Sequence, residues 1–436
     1  MRFIYVLLTY LVTPVVMAFE GWKAIAQPEY RGRLGQRLGF VPRVARPGCV
    51  WLHAVSVGEV QAAAGLVQEL RRRHPGIPLV VSTVTPTGAQ RARALFKDTV
   101  QHCYLPYDLP GAVRRFLDRV APQVAVILET EIWPTLYGEL ARRNIPLVLG
   151  SARLSMRSVG RYRRLASLIR DALSRDVMIG AQTPADAERF RMIGAPAERV
   201  QVSGNIKYDL VIPQAQVEAG KELRAAWNAA RPVWIAGSTH EGEEEAALAA
   251  HAAVRATHPD ALLLLVPRHP QRFDSVRQLL DKRGVRYQQR SSGMLPAPTD
   301  AVFLVDTLGE LQMLYAAADI AFVGGSLVPI GGHSLLEPAV LGLPVLSGPH
   351  TQNGQEIADL LVRSGALRLV ATQDELAAAL LRWFDEPARA QLDGERGRRA
   401  VEANRGAVHR LVAMIEPLLR SSVGRTESSS AASGSR

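Results

Sequence analysis

Residues Val323–Pro349 read VGGSLVPIGGHSLLEPAVLGLPVLSGP, and no other segment says as much about the architecture. An apolar strand, Ile320–Val323, enters a glycine-rich turn; a short helix carrying Glu337 follows, then a second apolar strand. Gly324, Gly325, Gly331 and Gly332 permit φ values that other residues resist, so the backbone here is expected to approach a ligand closely. The helix beyond them offers free amides to an anion. Such an arrangement suits the phosphate and ribose hydroxyls of a nucleotide. It is neither a GxGxxG turn nor a Walker loop, which argues against dinucleotides and ATP.

The same alternation extends in both directions. Towards the N-terminus, strands are expected at Val50–Val55, Leu79–Val84, Val124–Leu128, Leu147–Gly150, Val177–Ala181 and Val200–Ser203, with helical patterns such as 58–73 and 133–143 between them. After a polar helical stretch, 213–230, strands resume at Val233–Gly237, Ala261–Val266, Ala301–Val305, Ile320–Val323 and Pro344–Leu346. Continuous apolar runs separated by helices mark strands buried on both faces, hence parallel doubly wound sheets. A chain of 436 residues accommodates two such domains. The expectation is an α/β protein of two Rossmann-like domains, 22–212 and 213–420, facing across a cleft. Late helices at 374–385 and 387–419 complete the second domain, the last crossing back towards the first. Ligands of such sheets bind beyond the carboxyl ends of the strands. That rule singles out Glu59, Glu129, Glu131, Lys207, His240, Arg268, Glu310 and Glu337 as cleft residues.

The net charge is +11, which calls for an anionic partner: nucleic acid, a phospholipid surface or an anionic substrate. No aromatic-basic interleaving or recognised module supports nucleic acid. Cys49 and Cys103 match no metal-binding spacing, so neither a disulfide nor a metal is expected. Residues 3–19, FIYVLLTYLVTPVVMAF, are uncharged and apolar enough for a short membrane anchor over 1–21, with a kink at Pro14. An in-plane interfacial helix and a cleaved signal are the alternatives, the latter poorly served by FEGWK as a cleavage site. Lys23, Arg31, Arg33, Arg37, Arg43 and Arg46 follow, which leaves the remainder of the chain on the cytoplasmic side. Arg153, Arg157, Arg161 and Arg164 form a basic stripe if helical, either solvated or meeting anionic lipid head groups. The Ser/Gly/Ala-rich end, 421–436, is expected to be a disordered tail.

Seven motifs appear in order: WLHAVSVGEVQAA (51–63), STVTPTGAQRA (82–92), LPYDLP (105–110), ETEIWP (129–134), GNIKYD (204–209), PRHPQRF (267–273) and GGSLVPIGGHSLLEP (324–338). Together they resemble the 3-deoxy-D-manno-octulosonic acid (Kdo) transferases of lipopolysaccharide assembly, from the anchor to about Leu419. The resemblance implies a GT-B glycosyltransferase fold and a cofactor-free, inverting transfer of Kdo from CMP-Kdo to a lipid A precursor at the cytoplasmic face of the inner membrane. It implies Glu59 as the catalytic base, with Glu129 and Lys207 stabilising the transition state. It implies CMP contacts at Pro267, Arg268, Leu308, Gly309, Glu310, Ser334, Leu335, Leu336 and Glu337. The family commonly carries Asn where this chain has Ser334. The alternative is another sugar-nucleotide enzyme of this fold, a different glycosyltransferase or an epimerase; a scaffold without activity is disfavoured by Glu59, Lys207 and Arg268.

Each of these residues also has a plain structural reading. Glu59 sits in the first turn of a helix, where a carboxylate complements the dipole and is expected to stay ionised. Glu129 and Glu131, two apart in extended chain, share a side and suit the start of the next helix. Thr307-x-x-Glu310 and Ser334-x-x-Glu337 are capping-box spacings, which would tie each Glu to its own helix start. Lys207 is a solvated surface lysine unless a carboxylate or phosphate meets it.

Overall fold

The computed structural model describes residues 1–26, 33–174, 176–228 and 230–419. Arg31 and the 421–436 tail lie outside them. The chain divides into two compact units, one comprising Met1–Asp209 and the described residues from Arg405 onward, the other Leu210–Asn404.

The first unit holds a parallel seven-stranded sheet: β1 (Cys49–His53), β2 (Leu79–Thr83), β3 (Gln101–Tyr104), β4 (Pro122–Leu128), β5 (Leu147–Ala152), β6 (Val177–Ala181) and β7 (Val200–Val202), in the order β3-β2-β1-β4-β5-β6-β7. Alternate residues of β1 feed opposite cores. Trp51 packs with Phe116, Tyr137 and Phe190, whereas Val50 and Leu52 pack with Val60, Leu66 and Leu411. That two-sided burial is why the strand reads as a continuous apolar run.

The second unit repeats the plan with β8 (Val233–Thr239), β9 (Leu262–Pro267), β10 (Tyr287–Gln289), β11 (Val302–Leu304), β12 (Ile320–Val323), β13 (Val345–Ser347) and β14 (Leu367–Leu369), ordered β10-β11-β9-β8-β12-β13-β14. Trp234, Leu263 and Phe322 face one core; Val233, Ile235 and Phe303 face the other. In both sheets the strand order reverses beside the first strand, between β1 and β4 and between β8 and β12. These are the positions at which doubly wound sheets bind ligands.

Three strands escaped the sequence reading: β3, β10 and β14. All are sheet edges. An edge strand is covered on fewer sides, so its residues (Gln101 and His102, or Tyr287-Gln288-Gln289) need not be apolar.

The pattern read as one helix over 387–419 is two, Pro387–Glu402 and Ala407–Ile415. Between them Gly406 takes φ 93, a left-handed conformation that turns the chain back. Asp209 then accepts hydrogen bonds from the amides of Gly406 and Val408, each at 2.6 Å, capping the returning helix. Leu411, Val412, Met414 and Ile415 enter the core beneath β1. The chain therefore rejoins the first unit at Arg405 rather than staying with the second to residue 420.

The N-terminal helix runs over Arg2–Ala26, through Pro14 and beyond the expected end at residue 21. It is long and apolar enough to cross a membrane. In the basic stripe, only Arg157, Arg161 and Arg164 are helical, on Met156–Arg164. Arg153 precedes the Ser155 cap, which ends the stripe one residue short.

Candidate active site

The first unit's site lies at its switch point, just past β1 and β4. Ser56 caps the helix Val57–Arg73, accepting the Glu59 amide at 3.5 Å and donating its hydroxyl to Glu59 Oε1 at 3.0 Å. The Val55 amide donates to Glu59 Oε2 at 2.8 Å. Glu59 is thus held by its own helix start, as the plain reading anticipates, and it is also half-buried.

Glu129 follows β4 with φ 58, a left-handed conformation uncommon for a residue with a side chain. The chain here bends, so Glu129 and Glu131 are not the extended pair expected. Nor do they start the next helix. The amides of Thr135 and Leu136 are taken by Asp108, at 2.9 and 2.8 Å, a carboxylate from the LPYDLP motif. Glu129 is therefore available to Lys207, whose Nζ donates to Glu129 Oε1 at 2.7 Å. Lys207 is no loose surface side chain. It stands on the turn Ile206–Asp209, with Ile206 and Tyr208 buried on either side and its amide donating to Asn205 Oδ1 at 3.0 Å.

Burial raises the Glu59 carboxyl above the usual range, and the charge of Glu129 adds to the shift. This reverses the expectation that the helix dipole keeps it readily ionised: desolvation outweighs the dipole at this helix start. Glu131 is pushed up to about 7 by burial and then by the Glu59 carboxylate. Carboxylates that repel one another in a partly dry site share their titration. Replacing Glu129 by Gln removes the negative charge that raises Glu59 and leaves Lys207 unneutralised beside it, so ionised Glu59 becomes less costly and its pKa falls. The acid limb of the kcat/KM–pH profile is then expected to move to lower pH by roughly half a unit or more. An unmoved limb would show that the Glu129 charge is not felt there.

In the second unit, the ends of β8, β9 and β12 converge. Glu243, fully buried in the first turn of the helix Glu243–Thr257, accepts four amides: His240 at 2.9 Å and Gly325 at 2.7 Å on Oε2, Ser326 and Leu327 at 2.9 Å on Oε1. The glycine-rich turn after β12 is thus held by the protein's own carboxylate. A Cβ on Gly324 would lie 2.9 Å from Glu243 Oε2 and 2.6 Å from the Ser238 carbonyl, so this glycine admits Glu243 and not a ligand. Space beside Gly325 and Gly331 is likewise filled, by His333 and Asn353.

His240 and His333 stack 5.1 Å apart, with their Nε2 atoms at 2.8 Å, and His269 meets His240 edge-on. One ring of the bonded pair must be a neutral acceptor. Burial, then Arg268, holds His333 down at about 4, and His240 and His269 are also lowered, chiefly by desolvation. The fixed positive charge in this group is Arg268, exposed at the end of β9.

Neither capping box forms. The helix Leu336–Val340 begins after Leu335, too late for Ser334 to cap it, and Glu337 instead accepts from Gln312 Nε2 at 3.4 Å. Glu310 itself immediately precedes the helix Leu311–Ala316, and its carboxylate is drawn to Arg290 (2.8 Å) and to the Thr307 hydroxyl. Leu335 and Leu336 are buried, whereas Leu308 is exposed on the turn with Gly309.

A family model described as 3-deoxy-D-manno-octulosonic-acid transferase matches residues 32–210. The 3-deoxy-D-manno-octulosonic acid transferase of Haemophilus influenzae is 41% identical over 425 residues, covering 97% of this chain and 100% of its own. The chain belongs to the Kdo transferase family. The Bordetella pertussis transferase is 40% identical, covering 91% of this chain and 92% of its own. Among solved structures, the fold is shared with UDP-GlcNAc 2-epimerase from Neisseria meningitidis (TM-score 0.55, 15% identity, 85% of this chain and 100% of that one). Anabaena HepE in complex with UDP is similar as well (TM-score 0.53, 14% identity, 85% and 99%). These neighbours establish a GT-B fold of two parallel-sheet domains.

Sequence reasoning about this Kdo transferase missed four residues that shape its candidate sites. Asp108 and His333 stood inside quoted motifs but were passed over, because nothing in a motif distinguishes a capping carboxylate or a stacked imidazole. Glu243 opens an acidic run that reads as an ordinary first helical turn. Arg290 lies on the polar connection after an unrecognised edge strand.

Proposed function

We propose that this Kdo transferase moves Kdo from CMP-Kdo to a lipid A precursor with inversion, at the cytoplasmic face of the inner membrane. Glu59 takes the proton of the acceptor hydroxyl. That oxygen bonds to the anomeric carbon as the bond from that carbon to the phosphate oxygen breaks, releasing CMP. Glu129 and Lys207 act as a pair at the same strand ends, with Lys207 offsetting negative charge that develops during transfer. Pro267, Arg268, Leu308, Gly309, Glu310, Ser334, Leu335, Leu336 and Glu337 hold CMP, with Arg268 meeting the phosphate and Glu337 the ribose hydroxyls. The basic helix Met156–Arg164 suits an anionic lipid surface.

One observation carries the reading: Glu59 and Glu129 meet at the β1/β4 switch point, where burial and mutual repulsion raise the Glu59 carboxyl towards the range of an effective base. The test offers purified full-length protein fresh CMP-Kdo and tetra-acylated lipid A precursor, with Arg268→Gln alongside. Product is expected from the native chain. The Arg268→Gln variant should bind CMP about tenfold to a hundredfold more weakly, the loss of a hydrogen bond to a charged group. Absence of a Kdo-lipid product would sink the proposal; unchanged CMP affinity would remove Arg268 from the phosphate.

A further inference from the structure

The N-terminal helix has its polarity inside out. Its inward side carries Tyr5, Thr9, Thr13 and Glu20 among Val6, Val16 and Met17, all half-buried or buried. Its outward side carries Phe3, Ile4, Leu7, Leu8, Leu11, Val12, Val15, Phe19 and Trp22, each about half exposed or more. A helix of a water-soluble domain turns its apolar stripe to the core. Here that stripe faces out over the whole length.

The helix is also attached at both ends. Tyr5 donates its hydroxyl to Asp108 Oδ2 at 2.8 Å, and the Arg2 guanidinium lies over Gly138, where a Cβ would come within 2.5 Å of it. At the far end Glu20 pairs with Arg33 at 2.9 Å. Arg33 and Arg37, two of the basic residues that follow the helix, are buried in the unit, and Arg37 donates to the Leu105 carbonyl. Tyr5 and Glu20 are separated by about 22 Å of helix, most of a hydrocarbon core roughly 30 Å thick. Were the helix to stand across the bilayer with these bonds intact, Asp108 and the sheet behind it would have to enter hydrocarbon, at the cost of burying charges in lipid. A helix lying flat meets no such cost.

We infer that Arg2–Ala26 is not a spanning anchor but an in-plane helix, docked on the first unit by its polar side and seated by its apolar side in an anionic phospholipid surface. Charge complementarity selects that occupant. Arg2 and Lys23 mark the two ends of the helix; the helix Pro134–Arg142 beneath Arg2 packs against Ala166–Leu173, which packs against the basic helix Met156–Arg164. Exposed Arg157, Arg161, Arg163 and Arg164 there, with exposed Met156 and Leu165, repeat the combination of basic and apolar groups that an interface takes. The inference has a functional corollary: Asp108, which holds Tyr5, also caps the helix that follows Glu129–Trp133, so the docked helix bears directly on the ETEIWP segment.

The test places nitroxide labels on the full-length protein at Phe3→Cys, Leu11→Cys and Phe19→Cys in phosphatidylethanolamine/phosphatidylglycerol vesicles, the native cysteines both being buried. Depth is read from relative oxygen and nickel-chelate accessibility, and sidedness from reduction by external ascorbate. All three labels are expected at one shallow depth, about 5–10 Å below the head groups, and all reducible from the side that bears the catalytic units. A maximum of depth at Leu11 with Phe3 protected from that side would overturn the inference in favour of a spanning anchor. Labels that stay fully water-accessible would overturn membrane docking itself.

Discussion

Glu59→Gln is expected to lower kcat for Kdo transfer by about a thousandfold, the middle of the range for a positioned general base. CMP affinity and the melting temperature should hardly change. The amide keeps an oxygen for the Val55 N–H, now bonded at 2.8 Å, and Ser56 keeps its cap on the helix. What is lost is the proton acceptor. Glu59→Ala is expected to show the same loss of rate and, in addition, about 1 kcal/mol of destabilisation from the broken helix start. Initial rates on the lipid acceptor, CMP titration calorimetry and thermal melts separate these terms. Full activity of Glu59→Gln would leave Glu59 as a helix-start residue and nothing more. A loss of CMP affinity equal to the loss of rate would point to misfolding.

The sequence showed the central strands because burial on both faces forces them to be apolar, as Trp51 and Leu52 show by facing opposite cores. It could not show β3, β10 and β14, whose edge positions remove that constraint. The strand-end rule then put Glu59, Glu129 and Lys207 on one list, and all three do follow strands of the first sheet, with Lys207 bonded to Glu129. Contacts made through space were another matter. Asp209 caps a helix that begins at residue 407, and Asp108 serves both Tyr5 and the amides of Thr135 and Leu136. Spacing rules see partners within a helical turn, so they assigned Glu310 and Glu337 to caps that do not exist and overlooked the carboxylates that do such work. The same blindness hid which side of the N-terminal helix faces the first unit, the side that carries Tyr5, Thr9, Thr13 and Glu20.

Glu243→Ala is expected to be the most destabilising single change in the second unit, by about 4 kcal/mol. The carboxylate accepts two amides on each oxygen, and its removal leaves the N–H groups of His240, Gly325, Ser326 and Leu327 without their acceptor in a buried site. At 2–4 °C per kcal/mol for a domain of this size, melting of this unit should fall by about 10 °C. CMP should bind more weakly too, because the glycine-rich turn and His240 are positioned through this one group. Glu243→Gln discriminates between charge and shape. Its amide nitrogen would face two N–H donors that now meet an oxygen, so a near-isosteric substitution is expected to cost almost as much as Ala. Chemical denaturation followed by tryptophan fluorescence, with Trp234 fully buried in this unit as a reporter, measures both variants. If Glu243→Gln melts with the native protein, the four amides do not need an anion, and the Val323–Pro349 loop is held by packing alone.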